Sequence, residues 1–354
     1  MNKKLAYLFP SQIKKILVTG GAGFIGSALV KRLLADKSLE VFNLDKLTYA
    51  SNLKSINDTL NLCRIAESNY KFLKVDLKNF DDTLDVINYI QPDLIFHLAA
   101  ESHVDRSIQA PRIFIESNVI GTFNLLEASR IYWEKLEVSR KEFFRFHHVS
   151  TDEVFGSLGS EGYFSEKSCY DPRSPYSASK ASSDHLVKAW HHTFGLPIIL
   201  TNCGNNYGPW QYPEKLIPLA ISRAISDKPI PLYGNGLNVR DWIFVEDHID
   251  ALIETVIKGQ IGNSYCIGAS EQFTNLKVVK DICFLLDTYL PKGSSYSNLI
   301  TLVSDRLGHD QRYAIDTTRT TEEIGWKPRY SFNQGLQLTV KWFLENQDWC
   351  NQQI

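Results

Sequence analysis

The chain has 354 residues, with 38 Lys+Arg against 40 Asp+Glu, a formal net charge of −2, 44% hydrophobic and 22% charged residues. These are ordinary values for a globular protein, and the near-neutral balance gives no electrostatic case for nucleic acid or for an anionic membrane surface. Six scattered cysteines (63, 169, 203, 266, 283, 350) form no CxxC pair and no Cys/His cluster, so reduced thiols and no metal are expected.

Residues 1–12 carry two lysines and a short apolar LAYLF patch. The patch is too short for a signal-peptide core and no cleavage site follows it, so a cytoplasmic chain is expected. KKILVTG (14–20) then reads as a buried strand and FIGSALVKRLLADK (24–37) as an amphipathic helix. Further strand-like runs are LEVFNLD (39–45), YKFLKVDL (70–77), DLIFHLAA (93–100), FFRFHHVST (143–151) and LPIILTN (196–202). Helical patterns lie between them at 81–90, 113–133 and from Pro175 onward. Apolar runs buried on both faces, with helices as crossovers, predict a Rossmann-type doubly wound parallel sheet of the α/β class. Past Asn202 the chain turns rich in Gly, Pro, Asn and Tyr, which predicts a smaller mixed α/β C-terminal lobe. The expected division is 1–204, with 237–265 returning to it, for the dinucleotide domain, and 205–236 with 266–354 for the substrate lobe.

TGGAGFIGS (19–27) follows the first strand and opens the first helix. Gly20, Gly23 and Gly26 allow a tight turn and let backbone approach a pyrophosphate, whose charge the helix N-terminus holds. Asp45, 19 residues beyond Gly26, is placed to hydrogen-bond a ribose 2′-OH and to repel a 2′-phosphate, favouring NAD over NADP. Asp76, ending the third apolar run, fits either the adenine edge or a turn.

Tyr176 and Lys180 form YxxxK on one helical face, a spacing at which the ammonium would lower the phenol pKa and favour general acid/base work. Thr151 ends a strand and is followed by Asp152 and Glu153, two carboxyls that together supply an acid and a base for elimination. The histidine pairs 147–148 and 191–192 have no acidic or cysteine company in the sequence, which argues against metal binding.

With TGGAGFIG, HLAA (97–100), Thr151 and YSASK (176–180) in place, the chain resembles the extended short-chain dehydrogenase/reductase family over nearly its whole length. Asp152-Glu153, DKLTYASN (45–52), AAESHVDRSI (99–108), NCGNNYGPWQYPEKLIP (202–218), PLYGNGLNVRDWIFVEDH (231–248) and DRLGHDQRY (305–313) make it similar to the dTDP-glucose 4,6-dehydratase branch. Leu307 stands where that branch leads one to expect proline. The acid pair argues against a 4-epimerase. The residues fit a UDP-glucose 4,6-dehydratase or another NAD-dependent nucleotide-sugar enzyme as well, and a non-catalytic NAD-sensing scaffold is the reading from a different class.

The resemblance implies that Tyr176 deprotonates a sugar hydroxyl, Lys180 also holds the nicotinamide ribose, and Thr151 hydrogen-bonds the reacting oxygen. It assigns Glu153 as base and Asp152 as acid. Around NAD it implies Phe24, Ile25, Lys46, Thr48 and Leu77, then Leu98, Ala99, Ala100 and Ser102, with Asn206 near the nicotinamide. Around dTDP-glucose it implies Ser102, His103, Asn205, Lys215, Leu216, Pro231, Tyr233 and Asn275. His309 and Asp310 flank that set, and Arg240 and Arg306 suit the diphosphate through their bidentate forks. It also implies a homodimer through a four-helix bundle built from helices 113–133 and 175–194.

Overall fold

A computed structural model describes residues 9–351; the LAYLF patch lies outside the described residues except for Phe9. Strands β1 (Lys15–Thr19), β2 (Glu40–Asp45), β3 (Tyr70–Lys74), β4 (Leu94–His97), β5 (Arg145–Thr151) and β6 (Ile198–Cys203) lie in one sheet. After them come β7 (Asn205–Tyr207), β8 (Ile230–Tyr233), β9 (Val239–Phe244), β10 (Ser264–Ile267), β11 (Gln272–Thr274) and β12 (Ile300–Val303). The main sheet has seven parallel strands in the order β3-β2-β1-β4-β5-β6-β10. Strand order reverses between β1 and β4, so a crevice opens beyond their C-terminal ends.

Side chains alternate along each strand, which gives the sheet two cores. Ile16, Val18, Val41, Phe96 and Ile199 pack with the helices Phe24–Leu33 and Val245–Lys258. Leu17, Phe42, Ile95, Ile198 and Leu200 pack on the other face with Ile87, Leu125, Leu126 and Val187. Each such fully buried side chain contributes about 1.5–3 kcal/mol. β3 departs from the expected burial: as the edge strand it keeps all five residues partly or fully exposed, since no second neighbour covers it.

The lobe has its own core, with Ile217, Ile221, Val279, Leu286, Leu336 and Phe343 from three helices. β9 stands between the two bodies: Trp242 and Phe244 face the lobe core, while Ile243 faces the main sheet. Its partners are β7 and β11, and β8 pairs with β12.

The helix expected over 113–133 is interrupted. Pro111–Phe114 leads into a π-helical turn, Ile115–Ile120, before the helix Gly121–Glu134. The wider turn brings Asn118 inward, where it pairs with both backbone groups of Glu101 (2.8 and 3.0 Å) and with Ser179 Oγ at 2.8 Å.

Candidate active site

A cavity of about 690 Å³ opens at the C-terminal ends of β1, β4, β5 and β6, a volume suited to small-molecule ligands. Every cofactor and substrate position named above lines it except Asp310.

One end of the cavity begins at Gly20, whose φ of +70° favours glycine; a Cβ there would lie 2.6 Å from the Ala99 nitrogen. A Cβ on Gly26 would lie 2.1 Å from the Gly20 carbonyl oxygen, so both glycines are required for the loop to close. The helix that follows has no side-chain cap and no acid in its first turn, which leaves its positive end for an anion. Asp45 accepts from the backbone N–H of Ala22 (3.0 Å) and Leu47 (2.8 Å) and from Ser51 Oγ (3.1 Å). Lys46 sits 3.6 Å from Glu101. Asp76 lies past the end of β3, not within it, and accepts from the Lys78 N–H at 3.2 Å: it both makes a turn and lines the cavity. An uncapped helix end, a fixed carboxylate and, across the cleft, Lys180 match the three charged or diol-bearing parts of a nicotinamide dinucleotide.

Thr151 ends β5 and caps the short turn Asp152–Phe155, its Oγ1 accepting from the Glu153 N–H at 3.2 Å and donating to Asp152 Oδ1 at 3.3 Å. Asp152 is 1% exposed, and its Oδ2 has no hydrogen-bond partner among the described residues. Burial pushes its carboxyl well above the usual range; Glu153 and Asp241 add to that, while Arg240 and Thr151 oppose it. Glu153 is also raised, by burial and then Asp310, against Lys215, Arg240 and Arg306.

Tyr176 and Lys180 come from the helix Pro175–Phe194, which starts with proline at N1 and a Ser174/Ser177 capping box. The expected lowering of the phenol is not seen in the polypeptide by itself. Burial holds Tyr176 well above 10, Glu153, Cys203 and Asp152 raise it further, and a Thr151 hydrogen bond opposes. The Lys180 ammonium is instead directed at the Val149 carbonyl, 2.9 Å away, and at His148 Nε2, 3.5 Å away. His148 does have acidic company, contrary to the sequence expectation: Asp184, one helical turn beyond Lys180, comes within 3.2 Å of it. Among the described residues no group of three or more His, Cys, Asp or Glu is placed to hold a metal ion.

On the opposite wall Lys215 donates to the Ser102 carbonyl at 2.7 Å. Arg240 is buried over the Tyr313 ring (4.4 Å) and donates to the carbonyls of Val239 (2.8 Å) and Asp310 (3.0 Å). Asp310 therefore stands behind Arg240, with its Oδ2 accepting from the Tyr313 hydroxyl at 2.5 Å. Asn205 and Asn275 each keep a buried side-chain oxygen without a partner among the described residues. His309 pairs with Asp305 at 2.6 Å and meets Tyr233 edge-on.

Sequence reasoning missed Asp105, Glu214, Asp184 and Asn118. Asp184 was findable, because it lies at i+4 from Lys180 and i+8 from Tyr176 on the same helical face. Asp105 and Glu214 lie inside AAESHVDRSI and NCGNNYGPWQYPEKLIP, where nothing local marks their partners, and Asn118 carries no local signal. Glu214 accepts from the Tyr49 hydroxyl at 2.9 Å, beneath an Arg106 guanidinium stacked on Tyr49.

Residues 17–339 match the family model described as GDP-mannose 4,6 dehydratase. The dTDP-glucose 4,6-dehydratase of Salmonella typhimurium is 51% identical over 347 residues, covering 95% of this chain and 94% of that protein. A Bacillus anthracis dTDP-glucose 4,6-dehydratase solved in complex with NAD superposes with a TM-score of 0.84 at 41% identity, covering 96% of this chain and 100% of that one. One from Streptomyces venezuelae, also solved with NAD bound, gives 0.85 at 39% identity, covering 96% and 100%. The chain belongs to the GDP-mannose 4,6 dehydratase family.

Proposed function

We propose that this chain is an NAD-dependent hydro-lyase that converts dTDP-glucose to dTDP-4-keto-6-deoxyglucose and water. The observation that carries the elimination is the buried Asp152 carboxyl next to Glu153 at the end of β5, its Oδ2 without a partner among the described residues and its pKa pushed upward by burial. Curated relatives of this name at about half identity over nearly the full length support the same reaction.

Gly20, Gly23, Gly26, Asp45 and Lys180 would hold the dinucleotide, whose nicotinamide would supply a hydride acceptor for sugar C4 and a hydride donor for C6. The chain handles the protons. Tyr176 receives the 4-OH proton, and Thr151 hydrogen-bonds the reacting oxygen. Making Tyr176 basic needs positive charge nearby, which Lys180, together with the charge an oxidised nicotinamide would bring, would supply. The 4-ketone acidifies the C5 hydrogen, which Glu153 removes. Asp152 donates its proton to the C6 hydroxyl, which leaves as water, and Glu153 returns a proton to C5 once hydride has been delivered to C6. The raised Asp152 carboxyl supports its role as the acid, and Lys215, Arg240 and Arg306, which oppose the rise at Glu153, support its role as the base.

Arg240, Arg306 and Lys215 are assigned to the diphosphate side, and Asn205 and Asn275, with their unpaired oxygens, to polar groups of the substrate. The cofactor half is assigned to 1–204 with 237–265; the helix Val245–Lys258 against the main sheet supports this, and β10 extends it to Ile267. Ile113, Ile115, Ile120, Phe123 and Phe194 are exposed on the 111–134 and 175–194 helices and support a homodimer through a four-helix bundle, which light scattering tests. No helix among the described residues is long and apolar enough to cross a membrane.

Mass spectrometry of the product from dTDP-glucose tests the reaction: loss of one water is expected, and recovery of an isomer of unchanged mass overturns it. Glu153→Gln should lower turnover about 10²–10⁴-fold and stop C5–hydrogen exchange with solvent while C4 oxidation persists.

A further inference from the structure

Asp105 lies on the short Val104–Gln109 helix just past β4 and lines the cavity, yet no step above uses it. Its Oδ1 accepts from Arg306 Nε at 2.5 Å. Its Oδ2 accepts from Arg306 Nη2 at 3.0 Å and from the Tyr233 hydroxyl at 3.1 Å. Three separate segments meet at this carboxylate: the short helix after β4, the end of β8 and the 305–309 turn. Burial would raise the Asp105 carboxyl, but the Arg306 hydrogen bonds and charge, then His103 and Tyr233, outweigh it and hold it ionised.

A guanidinium offers five donors in one plane. Asp105 engages two of them, along the Nε–Nη2 edge, so the donors on the Nη1 side remain directed away from the carboxylate. The Tyr233 ring lies 5.1 Å from the guanidinium and limits its swing. An unheld arginine must give up its rotamer freedom when an anion binds; one held in a fork has given it up on folding. Asp105 also brings a negative charge that opposes an incoming diphosphate. That charge is paired with the guanidinium at a partly exposed site, where solvent screens it, whereas the ordering acts directly on the hydrogen bonds.

We propose that Asp105 is a positioning residue for the substrate diphosphate: it fixes the fork of Arg306, with Tyr233 as third partner, so that the remaining guanidinium edge is aimed before the nucleotide arrives. The proposal rests on Arg306 being a diphosphate ligand.

The test is calorimetric titration of dTDP into NAD-loaded wild type, Asp105→Asn, Arg306→Gln and the double variant, with steady-state kinetics alongside. Asp105→Asn should raise the dTDP Kd and the KM about tenfold while kcat stays within about twofold, since the lost interaction is made equally in ground and transition states. The double variant should bind no more weakly than Arg306→Gln alone. A residue serving only the fold would lower melting temperature and kcat without this split. Unchanged or tighter dTDP binding by Asp105→Asn overturns the proposal, as do fully additive losses in the double variant. If Arg306→Gln binds dTDP normally, it is the Arg306 assignment that fails. Should Asp105→Asn not fold, Asp105→Glu keeps the charge but displaces the fork by one methylene; weaker binding supports the proposal and wild-type affinity overturns it.

Discussion

Lys180 Nζ lies 3.5 Å from His148 Nε2, within a fully buried group of polar side chains organised by Asp184. Asp184 Oδ2 accepts from Ser150 Oγ and Tyr170 OH, both at 2.9 Å, and from Asn202 Nδ2 at 3.1 Å. His148 is pushed down to about 4, mainly by burial and then by Lys180, so the ring is neutral at physiological pH. Lys180 is thus an interior amine beside a neutral ring, with the buried Asp184 carboxyl one helical turn away.

Burial lowers the Lys180 pKa, and Asp184, followed by Cys203, opposes that fall. Asp184→Asn should therefore lower it further. Because the proposed mechanism needs a charged Lys180, the alkaline limb of the kcat–pH profile should move to lower pH while the acid limb stays. Asp184 itself is held below its ordinary value by His148, Lys180 and Ser150, against burial. Its contribution to stability is present above the unfolded carboxyl pKa of about 3.9 and fades as pH falls through the folded value. The melting-temperature gap between wild type and variant should accordingly close in acid. A lower melting temperature with an unmoved alkaline limb would assign Asp184 to the fold alone.

Asp152 carries the opposite sign. Its folded pKa lies well above the unfolded one, so the native state binds more protons and loses stability as pH rises past about 3.9. Asp152→Asn keeps the shape and removes the buried acid. Thermal denaturation at pH 7.5 should show a variant melting roughly 2 °C or more above wild type, with the gap vanishing near pH 4. Turnover should fall about 10²–10⁴-fold. A variant that melts lower at neutral pH would contradict this account of the buried carboxyl.

Asp45 supports its own loop through Ala22, Leu47 and Ser51 while its carboxylate faces the cavity. Asp45→Ala should reduce NAD affinity by about tenfold or more, from the loss of a charge-assisted hydrogen bond, and should relax discrimination against NADP. The NAD that co-purifies with each protein, and fluorescence titration of both dinucleotides, measure this. Retained NAD content with continued rejection of NADP would count against Asp45 as the ribose contact.

The strand, loop and helix around Gly20–Gly26 were legible because a buried strand, a glycine turn and an amphipathic helix follow within about twenty residues, each written in local periodicity. Tyr176 and Lys180 were legible for the same reason, since one helix fixes their spacing. The edge exposure of β3 and the position of Asp76 beyond its end were not, because a run of apolar residues does not say whether a second strand will cover it. The π-helical turn at Ile115–Ile120 likewise leaves no mark in the helical periodicity; its inward Asn118 is stabilised by Glu101 and Ser179, which arrive from other segments.

Charge placement belonged to the tertiary structure. Arg306 and Asp105 are 201 residues apart, and nothing in either neighbourhood marks them as partners. The sequence supplied two adjacent carboxyls at 152 and 153, but their separate environments arise only when β9, the 205–216 segment and the 305–310 turn bring Arg240, Lys215, Arg306 and Asp310 to the end of β5. Torsional preference and hydrophobic period act over a few residues and can be read along the chain. Desolvation and Coulomb interaction act through space, and so take their values only once distant segments have packed.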